Sequence, residues 1–83
     1  MTYRVVWAEP AIDTAAGYLA DDPDGLGMLM DRIDGLVHDE RPATSVELGT
    51  SGLRRLQVGR YRVLYEVDEN EFVVTVIHLG RLG

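Results

Sequence analysis

The spacing of apolar residues changes once along this chain, and the change divides it into a helical part and a stranded part. From Ile12 to Val37 apolar side chains recur at three- and four-residue intervals, whereas from Ser45 onward the period is two. Pro10 suits the first turn of a helix, where its missing N–H costs nothing. That helix is expected to run to about Ala20, with Ile12, Ala15, Ala16 and Leu19 on one face. Asp22-Pro23 is a second start, an N-cap residue followed by a first-turn proline. Leu26, Leu29, Met30, Ile33, Leu36 and Val37 then follow at helical spacing, and the helix should end near Asp39, before Arg41-Pro42. Gly25, Gly27 and Gly35 weaken it by about 1 kcal/mol each relative to alanine. The tight Asp-Asp-Pro junction makes the two helices an antiparallel hairpin.

A short strand, Tyr3 to Trp7, precedes the helices, with Trp7 as a core or edge anchor. After them Ser45 to Leu48 reads as a short strand and Gly49-Thr50-Ser51-Gly52 as a turn. Leu53 to Val58, Tyr61 to Val67 and Phe72 to Leu79 are three further strands, joined by the two-residue loops Gly59-Arg60 and Glu69-Asn70. The expected fold is α+β: an N-terminal strand, a helical hairpin, then a three- or four-stranded antiparallel sheet. Those loops set a register. Val58 falls opposite Tyr61, Gln57 opposite Arg62 and Arg55 opposite Leu64; Val67 falls opposite Phe72 and Tyr61 opposite His78. One face then carries Leu56, Val58, Tyr61, Val63, Tyr65, Val67, Phe72, Val74 and Val76, and is assigned to the helices. The other carries Arg55, Gln57, Arg62, Leu64, Glu66, Val73, Thr75, Ile77 and Leu79. It holds too much aliphatic surface to stay uncovered, so it should bind something. A one-residue slip would swap the two sets.

At 83 residues the chain is expected to form one domain, 1–83, with a thin core. It has no cysteine, which rules out disulfides and thiolate metal sites. No apolar stretch approaches the roughly 20 residues of a membrane span, and the N-terminus carries no signal-peptide pattern; a soluble cytoplasmic protein is expected. The net charge of −6 is unevenly spread. Residues 1–51 hold ten carboxylates and three arginines, residues 52–83 four carboxylates and five arginines. Between Gly52 and Tyr65 there are four arginines and no acid. All eight basic residues are arginine, whose fork binds carboxylate or phosphate through two parallel hydrogen bonds. An acidic protein is a poor non-specific nucleic-acid binder, so any polyanion contact belongs to the C-terminal half.

The stretch Leu53-Arg54-Arg55-Leu56-Gln57-Val58-Gly59-Arg60-Tyr61-Arg62-Val63-Leu64-Tyr65-Glu66-Val67 resembles the signature of the RelE/ParE toxins of type II toxin–antitoxin systems. A basic strand, a glycine turn, Tyr-Arg and a hydrophobic-Tyr pair recur there in this order. Val74-Thr75-Val76-Ile77-His78-Leu79-Gly80-Arg81 resembles the family's last strand with its Gly-basic ending. The resemblance implies a microbial-ribonuclease-like sheet with helices on one face. RelE-type members cut mRNA in the ribosomal A site: the ribose 2′-oxygen attacks the adjacent phosphate and leaves a cyclic phosphate, with no metal or other cofactor. Such chemistry needs cations around a phosphorane-like transition state and groups that move protons.

By that resemblance Arg62, Arg55 and Arg81 are the expected catalytic residues, with Glu66 and His78 behind them; Arg54, Gln57 and Arg60 are expected to bind substrate. Arginine stays charged and shuttles protons poorly, which leaves Tyr61, Tyr65, Glu66 and His78 for acid–base work. Tyr61 and Tyr65 read as core. Glu66 reads as a general base or as an ion partner of Arg62 or Arg55. His78 falls on the helix-covered side and reads first as structural. His38 ends a helix, where a cation suits the dipole. The chain departs from the family in three places. The run Arg81-Leu82-Gly83 has one basic residue where many members have two, no tyrosine or histidine follows the last strand, and Leu53 stands where ribosome-dependent members often have lysine. Three functions are therefore carried forward: a ribosome-dependent mRNA endoribonuclease, a non-catalytic toxin acting on DNA gyrase, and a member that keeps only antitoxin binding. The expected partners are a cognate antitoxin and, for the first function, the ribosome and mRNA.

Overall fold

The structure is a computed structural model, and it describes residues 2–49 and 52–82. Strand β1 (Arg4–Trp7) leads into helix α1 (Glu9–Asp21), helix α2 (Pro23–Asp34) and a 3-10 turn (Gly35–Val37). Strands β2 (Ser45–Glu47), β3 (Leu53–Val58), β4 (Tyr61–Asp68) and β5 (Val73–Arg81) follow. The strands form one sheet in the order β1-β5-β4-β3-β2. β1 runs parallel to β5, and every other pair is antiparallel. β5 is therefore interior, and β1 and β2 are the edges. Residues 50 and 51 of the expected turn lie outside the described residues.

Both helices cover the same face. α1 packs on β5, α2 on β3, and the 3-10 turn on β1. Leu26, Leu29, Ile33 and Leu36 are buried against Leu56, Val63, Tyr65, Val74 and Val76. Each such aliphatic side chain contributes about 1.5–3 kcal/mol by leaving water. α1 presents Ala11, Ala15 and Tyr18 to this core, while Ile12, Ala16 and Leu19 face outward. The expected face was thus rotated. Ala11 and Ala15 lie one turn apart and lack bulk, which lets the helix come close to the sheet. Gly35 ends α2 earlier than expected, and the backbone tightens there into the 3-10 turn.

The β3–β4 hairpin has the expected register, Val58↔Tyr61 through Arg55↔Leu64. Gly59 opens its two-residue turn at φ 59, a left-handed conformation that costs glycine nothing.

The β4–β5 pairing departs from expectation in two ways. Its connection is Glu69 to Phe72, four residues instead of two, so that Val67 faces Val74 and Phe72 sits in the turn, exposed, at φ 55. A bulge then interrupts the ladder: Tyr65 pairs with Val76 but Leu64 pairs with His78, leaving Ile77 as the extra residue. One unpaired residue reverses the alternation beyond it. Leu79, expected outside, is 1% exposed in the core, and His78, expected beneath the helices opposite Tyr61, is exposed on the outer face opposite Leu64.

Candidate functional site

The uncovered face of the sheet carries a two-row array of side chains. In one row Arg55, Leu64 and His78 lie side by side on β3, β4 and β5. In the next, Gln57, Arg62 and Gly80 do the same. Neighbouring strands are about 4.8 Å apart, so the two arginines and the imidazole surround a common space. That space is a groove of about 320 Å³ bordered by Arg55, Arg62, Leu64, His78, Gly80, Arg81 and Leu82.

Each part has a local cause. The glycine turn fixes the register that puts Arg55 diagonal to Arg62. The bulge at Ile77 turns His78 outward. Gly80, with no side chain, leaves space beside Arg62, into which the His78 ring leans: a Cβ at Gly80 would meet only His78 Nε2, at 3.9 Å. Leu64 and Leu82 supply apolar walls. No carboxylate borders the groove, and neither Arg55 nor Arg62 makes an ion pair among the described residues. Two unneutralised guanidinium forks beside an imidazole suit a phosphate group, with a proton donor or acceptor at hand.

The other expected site residues are engaged by other partners or lie outside the groove. Arg54 shares the covered side of β3 with Leu56 and Val58, because strand side chains alternate. Its Nε donates to Ser45 Oγ at 2.8 Å and its Nη2 to the Ser45 carbonyl at 3.3 Å, which ties β3 to β2. Arg60, in the turn, donates to Asp22 at 3.3 Å. Arg81 borders the groove, but its guanidinium lies 4.5 Å over the Tyr18 ring and 3.2 Å from Asp21. The Tyr61 hydroxyl, followed by Asp21, holds it protonated beyond the ordinary arginine range against the effect of burial. Glu66 is exposed on β4 outside the groove and pairs with neither Arg62 nor Arg55 among the described residues. Gln57 stays on the outer face beside Arg62, its amide donating to the Gly59 carbonyl at 3.3 Å.

Two residues gain importance beyond the sequence reading. His78 had a signal: Val74 and Val76 point inward at spacing two, and the next apolar core residue, Leu79, comes at spacing three. Asp22 was read only as an N-cap. It does cap α2, accepting from the Gly25 amide at 3.1 Å, but its carboxylate also accepts from the Tyr61 hydroxyl at 2.8 Å. The Tyr61 hydroxyl, then the Gly25 amide and Arg60, hold Asp22 below the usual carboxylate range, against burial.

The family model of the ParE toxin of type II toxin–antitoxin systems matches residues 11–82. No curated protein matches the sequence. In structure the chain is similar to a chain of the toxin–antitoxin complex RelBE2 from Mycobacterium tuberculosis, with TM-score 0.83 and 19% identity over 99% of this chain and 100% of that one. It is similar to a chain of the archaeal RelE–RelB complex from Pyrococcus horikoshii, with TM-score 0.83 and 24% identity over 100% and 98%. It is also similar to a chain of the chromosomal ParDE system from P. aeruginosa, with TM-score 0.73 and 11% identity over 99% and 98%. At these identities the likeness is one of fold.

Proposed function

Because the chain belongs to the ParE toxin family of type II toxin–antitoxin systems, we propose that the groove on its outer sheet face is the toxic site and that it cleaves mRNA on the ribosome. The observation that carries this reading is the convergence of Arg55, Arg62 and His78 on a groove without a carboxylate. Arg62 and Arg55 grip the non-bridging phosphate oxygens and stabilise the charge that builds up as phosphorus becomes five-coordinate. The 2′-oxygen bonds to phosphorus and the bond to the 5′-oxygen breaks, giving a 2′,3′-cyclic phosphate and a 5′-hydroxyl. His78 is the side chain in the groove able both to take the 2′-hydroxyl proton and to return it to the leaving 5′-oxygen. Leu64 and Leu82 give a base an apolar surface to lie on. Arg81, held by Asp21 and Tyr18, supports the sheet from the other side.

A second reading is favoured by the family match itself: a non-catalytic action on DNA gyrase, with the same arginines contacting the target. In both readings a cognate antitoxin covers the outer face, its carboxylates meeting Arg55 and Arg62. The RelBE2 and RelE–RelB relatives were solved as toxin–antitoxin complexes.

Purified protein added to a translation reaction with one defined mRNA should yield fragments with 5′-hydroxyl and cyclic-phosphate ends. Arg62→Ala should abolish them while the protein stays folded. Intact mRNA together with inhibited supercoiling in a gyrase assay would assign the chain to the second reading. Inactivity in both assays with retained antitoxin binding would leave only the binding role.

A further inference from the structure

The end of the sheet that carries Arg62 and Gly80 is clamped from beneath. Tyr61 precedes Arg62 on β4 and Arg81 follows Gly80 on β5, and the two pair across the ladder. Their side chains point to the helices while Arg62 points to the groove. Tyr61 is 2% exposed, yet its hydroxyl is not used by the chemistry proposed above. It reaches Asp22, at the junction of α1 and α2, at 2.8 Å. Arg60 reaches the same carboxylate from the hairpin turn at 3.3 Å, and its carbonyl accepts from the Leu82 amide at 2.7 Å. Arg81 reaches Asp21 and lies over Tyr18. Residues 60, 61 and 81 thus all bind the helix junction, and they flank the one rung of the ladder that holds Arg62 against Gly80.

We propose that Asp22 and Tyr61 are positioning residues: by holding the turn end of β4 to the helix junction, they fix the direction in which Arg62 enters the groove. Neither touches a ligand there. An apolar contact at Tyr61 would hold the strand end down as well but would not tie it to one point of the helix junction. The hydrogen bond from Oη to the capping carboxylate, which the Gly25 amide and Arg60 also engage, supplies that tie. This inference rests on the groove being an anion site.

The test uses the full chain and inorganic phosphate, followed by NMR at the Arg62 and Gly80 amides and the His78 ring. In the unaltered protein phosphate should shift all three. Tyr61→Phe and Asp22→Ala should weaken phosphate binding at least fivefold, with the thermal midpoint of Tyr61→Phe close to the starting value. Asp22→Asn, whose oxygen can still accept from the Gly25 amide while its NH2 donates to the Tyr61 oxygen, should restore part of the affinity. Phosphate binding unchanged in Tyr61→Phe would overturn the proposal, as would Asp22→Asn behaving like Asp22→Ala. No phosphate shift in the unaltered protein would overturn the anion site and this inference with it. Phosphate binding without mRNA cleavage would sink only the ribonuclease reading and leave the clamp standing.

Discussion

Arg62 and Gly80 stand opposite one another on β4 and β5, so the arginine has bare backbone for a neighbour where a bulky residue would raise a wall. A methyl at Gly80 meets only the His78 ring, at an ordinary contact distance of 3.9 Å. Gly80→Ala should therefore keep its toxicity. Gly80→Val, a branched residue at home in a strand, should cut growth arrest at least tenfold by filling the groove, with little change in the thermal midpoint. Growth curves under induced expression, read beside melting curves, check both; a fully toxic Gly80→Val would mean that the groove is not where the target binds.

The bulge at Ile77 makes adjacent residues behave oppositely. His78→Ala removes an exposed ring and should change stability by no more than about 0.5 kcal/mol, while lowering mRNA cleavage at least tenfold. Leu79→Ala opens a cavity in the core and should cost about 2–5 kcal/mol. Urea unfolding of the two variants distinguishes this register from a regular strand, in which the two costs would be exchanged.

Two glycines in α2 should respond in opposite directions to the same change. Gly27 has open space around it, so Gly27→Ala should stabilise the helix by about 0.5–1 kcal/mol. At Gly25 an added Cβ would fall 2.2 Å from Asp22 Oδ2. Gly25→Ala should destabilise the protein, because the methyl expels the capping carboxylate and with it the acceptor for Tyr61. Thermal melts of the pair suffice.

Asp22 should leave a mark on the acid limb of stability. Its carboxyl titrates below the usual range because the Tyr61 hydroxyl, the Gly25 amide and Arg60 favour the charged form. The unfolded chain, with an ordinary value of about 3.9, takes up the proton first as pH falls. The contribution of Asp22 is therefore complete above that value and lost as pH drops through the lower folded one. Midpoints measured across the acid range should fall less steeply for Asp22→Asn than for the unaltered chain. Equal slopes would mean that the carboxylate is not held by these donors.

The parts of this fold that follow from short-range rules could be read from the chain. Asp22-Pro23 opens α2, Gly59-Arg60 turns the β3–β4 hairpin in the expected register, and Arg55 and Arg62 share a face as alternation requires. What escaped reading depends on contacts between distant elements. The face of α1 was misjudged because Ile12 and Leu19 are more apolar than Ala11 and Ala15, whereas close approach to the sheet favours small side chains. His78 was placed inside because strict alternation has no means of counting an unpaired Ile77. Arg54, Arg60 and Arg81 joined the expected patch through their neighbours in sequence, but each faces a polar partner on the helix side or at the turn.

The parallel pairing of β1 with β5 brings together the first and last strands of the fold. Loop closure over so long a stretch is slow relative to hairpin formation. The helices and the β3–β4 hairpin can form from contacts close in sequence, but β1 waits for β5. The groove waits with it, since His78 and Gly80 arrive on that final strand. A partly folded chain that has yet to dock β5 therefore lacks the groove as well as the β1 edge, and one long-range step completes both.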